Sequence, residues 1–155
     1  MKKWNQGREV IQRLLDSGEL QEIELDREHP EKLLRQARAH LRSAVRCQDD
    51  DLEGAYTLIY DAARKSLVAL LEIQGLRPTT QGGHIVVFES LIAQLQPPLG
   101  RVISPFNRMR RTRRVAEYPQ RKDQDVTEVD IREDLEKAEE IVKLAEMLIG
   151  ELPPF

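Results

Sequence analysis

The sequence predicts an all-α protein, an antiparallel up-and-down bundle of four main helices plus a short N-terminal one. Three observations predict it. Glycine and proline cut the chain into segments whose apolar residues recur at helical spacing. The segment from Asp49 to Gln74 is apolar around most of its circumference and stops at Gly75. The last long segment begins at a capping threonine, Thr127, and keeps one apolar face to its end.

Residues 6–17 form a short helix with Val10, Ile11, Leu14 and Leu15 on one side, ended by Gly18. Residues 19–27 alternate weakly at Leu20, Ile23 and Leu25, the pattern of an extended lead-in. The first main helix starts near Pro30, which suits a first helical turn, and runs to about Cys47 on a stripe of Leu33, Leu34, Ala37, Leu41, Ala44 and Val45.

The second main helix follows Asp49-Asp50-Asp51, acids that suit a positive helix start. Its polar residues, among them Glu53, Asp61, Arg64 and Lys65, fill only about a third of the wheel. A helix so widely apolar belongs at the centre of the bundle. After the loop from Leu76 to Gly83, His84 opens the third helix, which runs to about Leu95. The run Ile85-Val86-Val87 is β-branched, but Val87, Phe88, Leu91, Ile92 and Leu95 keep a helical period. Pro97-Pro98 ends it.

Ser104-Pro105 reads as N-cap and first residue of a basic helix ended by Pro119. The closing helix from Thr127 buries Ile131, Leu135, Ala138, Ile141, Val142, Ala145, Leu148 and Ile149. The expected organisation is residues 1–28 as N-terminal helix and lead-in, 29–150 as the bundle, and 151–155 as a frayed tail.

The 155 residues, 40% hydrophobic and 33% charged, suit one compact domain and exclude a disordered chain. A single cysteine, Cys47, excludes a disulfide scaffold, and a reducing cytoplasm is the expected location. The apolar run Ile85-Val86-Val87-Phe88 is far too short to span a bilayer, and the first residues lack the apolar stretch of a secretory signal, so no membrane association is expected.

A net charge of −3 conceals a strong asymmetry: residues 101–122 carry +7 and residues 123–140 carry −7. Arginine outnumbers lysine 17 to 7, as a GC-rich genome or a need for guanidinium forks on phosphate or carboxylate would give. Around the basic helix, Phe106, Met109, Arg110, Arg113, Ala116 and Glu117 share one broad sector, so Arg113 projects inward and needs a partner, for which Glu117 is the local candidate. Arg111 and Tyr118 share a neighbouring face with Arg114 close by. The strip suits phosphate; paired with the acidic helix, it is simply a solvated face.

Of three histidines, His40 lies in an apolar stripe and reads as a hydrogen-bonded core or half-buried residue, His29 as a surface or cap residue, and His84 as a cap, a core residue or a cleft residue. No metal-ligand spacing, phosphate loop or nucleophile with a visible base occurs, so no metal and no cofactor is expected.

Three pieces of the chain together resemble the HEPN superfamily (higher eukaryotes and prokaryotes nucleotide-binding domain). They are the central helix from Ala55 to Leu71 with Gly75-Leu76-Arg77-Pro78 after it, the helix opened by Gly82-Gly83-His84, and Arg110-Arg-Thr-Arg-Arg-Val-Ala-Glu-Tyr118 before an acidic helix. The resemblance covers about residues 30–150 and is best to a bacterial branch whose last motif reads Arg-x-x-Ala-Glu/Asp-Tyr. It implies a small cytoplasmic helical bundle that acts on RNA or nucleotides, in a defence or toxin–antitoxin setting, as a homodimer, with an antitoxin or nucleotidyltransferase as partner. Active HEPN nucleases use an Arg-x(4–6)-His motif without metal, the arginine stabilising phosphate charge and the histidine moving a proton at the 2′-oxygen.

This chain departs from that motif, because no histidine follows Arg110, Arg111, Arg113 or Arg114. With Arg111 and Tyr118 aligned to the motif's arginine and trailing tyrosine, Ala116 stands where the histidine would be; with Arg113 aligned instead, Tyr118 ends the motif, and a tyrosine is a poor base at neutral pH. Arg77 and His84 have the motif spacing but precede a different helix.

The leading expectation is an RNA- or nucleotide-binding bundle with a degenerate nuclease motif, binding through Arg110, Arg111, Arg113, Arg114, Glu117 and Tyr118. The alternatives are a metal-independent endoribonuclease toxin with Arg113, Tyr118 and His84 as catalytic residues, a non-catalytic interaction module, and a bundle whose Tyr118 accepts a nucleotidyl group.

Overall fold

A computed structural model describes residues 4–81 and 83–155. Its elements in chain order are α1 (Arg8–Asp16), β1 (Leu20–Glu22), α2 (Glu28–Cys47), α3 (Leu52–Glu72), β2 (Leu76–Pro78), α4 (Gly83–Leu95), α5 (Gly100–Ile103), α6 (Pro105–Glu117) and α7 (Glu128–Leu148). The molecule is an all-α bundle with one two-stranded antiparallel ribbon; among the described residues five long helices, α2, α3, α4, α6 and α7, build it where four main ones were expected.

α3 is the central helix. It packs against α2, α4, α6 and α7. Asp51 caps it, its carboxylate accepting from the Gly54 backbone N–H at 2.9 Å. Thirteen of its residues are buried, which matches the apolar circumference read from the sequence. A helix with so little polar surface cannot face water on any broad side, so four neighbours enclose it. Thr127 starts α7 through a complete capping box with Asp130.

The structure differs from the sequence expectations in three further places. The lead-in is strand β1, and it pairs with β2, in the segment read as a loop, with Leu20 opposite Pro78 and Glu22 opposite Leu76. Gly75, at φ +81°, makes the turn from α3 into β2, and its carbonyl accepts from the Ile23 N–H at 2.8 Å.

A short helix, α5, lies between α4 and α6. Ser104 therefore has helical dihedrals and makes no capping bond; its hydroxyl donates to the Arg101 carbonyl at 3.3 Å. Ser104 still stands at the N-cap position and Pro105 in the first turn of α6, as expected.

Residues 151–155 are docked, not frayed. Leu152 is buried, the Phe155 N–H donates to the Gln74 carbonyl at 3.0 Å, and the Arg8 guanidinium sits 4.3 Å over the Phe155 ring.

His29 lies on the surface, as read from the sequence, at 55% exposure, and its Nδ1 reaches the buried Glu72 carboxylate at 2.5 Å.

Candidate functional site

The site grows from the middle of α3. Tyr60 sits on the face of α3 towards α4 and α6 and is 1% exposed. Its ring lies nearly parallel to Phe106 of α6 at 5.2 Å. Its hydroxyl is 2.6 Å from Nδ1 of His84, at the start of α4. The Cζ of Arg113, from α6, lies 5.6 Å from the centre of the same ring. One aromatic side chain thus joins the histidine of α4 to the inward arginine of α6.

Arg113 projects inward, the direction its helical position predicts, and pairs with Glu117 at 2.5 Å. Both side chains are about a quarter exposed, at 27% and 24%. Arg110 reaches Asn107 Oδ1 at 3.2 Å, and its Nε–H is buried with no acceptor among the described residues. An orphaned guanidinium N–H is costly to bury.

Below this layer, α3 supplies a polar patch in an otherwise apolar helix. Asp61 accepts from Arg64 at 2.8 Å and lies 3.6 Å from Lys65. Lys65 donates to His40 Nε2 of α2 at 2.8 Å, which makes His40 half-buried and hydrogen-bonded, one of the forms its apolar stripe allowed. Asp61, Arg64 and Lys65 were legible only as part of a polar sector. Their signal is compactness: a carboxylate and two cations at i, i+3 and i+4, on a helix that is apolar elsewhere.

The charges act on the histidine. Burial holds the His84 pKa below its ordinary value, and the nearby Arg64, Arg113 and Arg110 add to this against Asp61. Burial raises the Tyr60 pKa although Arg113, Arg64 and Arg110 oppose it. Burial also pushes Asp61 up, but Arg64 and Lys65 outweigh it and hold the carboxyl below its ordinary value. Near neutral pH the centre therefore holds a neutral imidazole, a protonated phenol and fixed guanidiniums.

The remaining strip residues point elsewhere. Arg111 and Arg114 line a separate cleft of about 380 Å³ with Thr112, Val115, Thr127 and Asp130. Arg114 approaches Asp123 only at 3.9 Å. Tyr118, at the end of α6, is 66% exposed and away from the buried centre. The structure therefore divides the arginine strip: Arg110 and Arg113 go with His84, while Arg111 and Arg114 face another cleft and Tyr118 faces outward.

The basic and acidic helices do not cancel each other. Among the described residues, one ion pair joins α6 to α7: Arg108 to Asp134 at 2.5 Å, where Asp134 is fully buried and also accepts from the Tyr56 hydroxyl at 2.7 Å. The later acids of α7 turn to α2 instead, with Arg38 bonded to both Glu139 and Glu146. No cluster of acids, histidines or cysteines among the described residues could hold a metal ion. No described helix is long and apolar enough to cross a membrane.

No curated protein and no solved structure matches the chain. A family model, the HEPN domain, matches residues 30–150. That span takes in the central helix, His84 and the arginines of α6, and leaves out α1 and β1. By that match, the chain belongs to the HEPN domain family.

Proposed function

We propose that this HEPN bundle binds RNA or nucleotides by their phosphates, as a component of a defence or toxin–antitoxin system with a degenerate nuclease motif. Membership of the family ties the chain to nucleotide- or RNA-related work. The observation that carries the reading is the bridge through Tyr60. It supports a site in which Arg113 of α6 and His84 meet at the Tyr60 ring, with Arg110 among the charges acting on the histidine, whose proton-bearing ring is otherwise missing from the α6 motif. Arg111, Arg114 and the exposed Tyr118 extend the positive surface, the guanidiniums for a phosphate backbone and the phenol ring for an unstacked base. The Glu117 carboxylate on Arg113 acts as an internal place-holder that a phosphate displaces.

The test is binding of a short single-stranded RNA at rising salt, with single alanine variants at Arg110, Arg111, Arg113 and Arg114. Salt-sensitive binding that falls with each removed arginine supports the reading. Binding absent at low salt, or unchanged in all four variants, refutes it.

A second reading is cleavage. His84 beside Arg113 offers the pair that metal-independent cleavage at a 2′-hydroxyl requires, with the histidine supplied by α4. It predicts RNA cleavage in a chelator, lost in Arg113→Ala and in His84→Ala. The homodimer, the antitoxin or nucleotidyltransferase partner, and Tyr118 as nucleotidyl acceptor remain proposals of the family relationship.

A further inference from the structure

The direction of the Tyr60–His84 hydrogen bond decides what His84 can do. Tyr60 is 1% exposed, and among the described residues His84 Nδ1, at 2.6 Å, is the one hydrogen-bond partner of its hydroxyl. A phenol holds one proton. Were the imidazole the donor, that proton would be buried without an acceptor, at a cost of about 1–3 kcal/mol. The pair is fully satisfied in one direction only: the Tyr60 O–H donates and Nδ1 accepts. A neutral imidazole that accepts at Nδ1 carries its own proton on Nε2. His84 is neutral near pH 7, because burial, helped by Arg64 on α3 and by Arg113 and Arg110 on α6, lowers its pKa against the opposing charge of Asp61 on α3.

The groups around it are donors too. Arg113 lies against the Tyr60 ring, and the Arg110 Nε–H is buried without an acceptor. The carboxylates nearby, Asp61 and Glu117, are each paired to an arginine, Arg64 and Arg113.

We propose that His84, Arg110 and Arg113 form a receptor for a phosphate group, in which the His84 Nε2–H and the two guanidiniums hold the phosphate oxygens and Tyr60 is the positioning residue that keeps the histidine's proton on Nε2. The proposal rests on the phosphate-binding reading above and goes further. It makes His84 a hydrogen-bond donor and removes the base that attack by a 2′-hydroxyl would need. Cleavage with His84 as base requires the opposite tautomer, with Nε2 unprotonated.

The experiment uses the full chain labelled with ¹⁵N at histidine. Long-range ¹H–¹⁵N spectra at neutral pH read the tautomer, and titrations with inorganic phosphate, with AMP and with an RNA oligomer lacking terminal phosphates read the ligand. The proposal expects a pyridine-like Nδ1 and a proton-bearing Nε2 at His84, with His84 resonances that move on adding phosphate. Of the other two titrants, the one that moves them identifies a terminal or a backbone phosphate as the source. Tyr60→Phe should mix the tautomers and weaken phosphate by about tenfold, the size of one lost charge-assisted hydrogen bond. His84→Gln keeps a side-chain N–H and should stay within about threefold of the native affinity, whereas His84→Ala should lose about tenfold. Unchanged melting curves show that each variant folds. A proton found on Nδ1, or His84 resonances unmoved by all three titrants, overturns the proposal. If RNA still binds the arginines while His84 stays silent, the receptor is wrong and the wider binding reading survives; if RNA does not bind either, both fall.

Discussion

The Tyr60 hydroxyl lies 2.6 Å from Nδ1 of His84, across a sequence separation of 24 residues. That bond holds the first turn of α4 against α3, and Arg113 of α6 lies over the same tyrosine ring. Binding should therefore depend on residues from two helices. Removing Arg113 takes away a charge, so Arg113→Ala should weaken RNA binding and lower the slope of log affinity against log salt by about 0.7, the value for one phosphate contact on a single strand. His84→Ala removes a neutral group and should weaken binding while leaving that slope unchanged. Filter binding across a salt series measures both.

Asp134 is the buried joint between α6 and α7. It takes Arg108 and the Tyr56 hydroxyl, and it is fully buried. Loss of the carboxylate strands Tyr56 in the core, so Asp134→Ala should destabilise the fold by about 3 kcal/mol. Arg108→Ala leaves a buried carboxylate with the tyrosine as its remaining partner and should also destabilise. Urea unfolding of both variants tests this, and a loss below about 0.5 kcal/mol for Asp134→Ala would show that the joint bears little of the stability.

Stability should fall on acidification below neutrality. Burial lowers the pKa of His84, helped by Arg64 and Arg113, and that of His40, helped by Lys65. In the unfolded chain both return to about 6.5. Between that value and the lower folded values the unfolded state binds more protons, so stability declines as pH decreases through this window. Asp61, whose folded pKa is also depressed, adds a further loss at lower pH, beginning near its unfolded value of about 3.9. Urea midpoints at pH 7.5 and pH 5.5 should differ in the native chain and differ less in a His40→Gln, His84→Gln double variant.

Tyr118 is the exposed aromatic of the strip. Tyr118→Ala should change stability by less than about 0.5 kcal/mol. If a base stacks on the ring, the same variant should cost about 1–3 kcal/mol in binding to single-stranded RNA. Parallel thermal melts and titrations separate the two effects.

The sequence made the helices legible because their signals are local. Asp51 and Thr127 mark their starts, and the apolar circumference of α3 announced its central place. The ribbon was not legible: each strand has three residues, too few to show a period, and their pairing joins segments more than 50 residues apart. The docked tail was hidden in the same way, since it is held by Gln74 and Arg8 from distant parts of the chain. In the candidate site the inward turn of Arg113 and its pairing with Glu117 followed from helical spacing. The bridge did not, because Tyr60 sits among core residues of α3 and nothing local to it points to His84. Helical spacing already put Arg111 and Arg114 on a face neighbouring that of Arg113, and in the structure they line a cleft of their own.

The central claim is that His84 and Arg113 serve one phosphate site. The most direct measurement is a double-mutant cycle of His84→Ala and Arg113→Ala, read as affinity for a short 5′-phosphorylated RNA at fixed low salt. A shared site predicts non-additive losses, with a coupling of at least about 0.5 kcal/mol between the two substitutions. Losses that add within about 0.3 kcal/mol would contradict it.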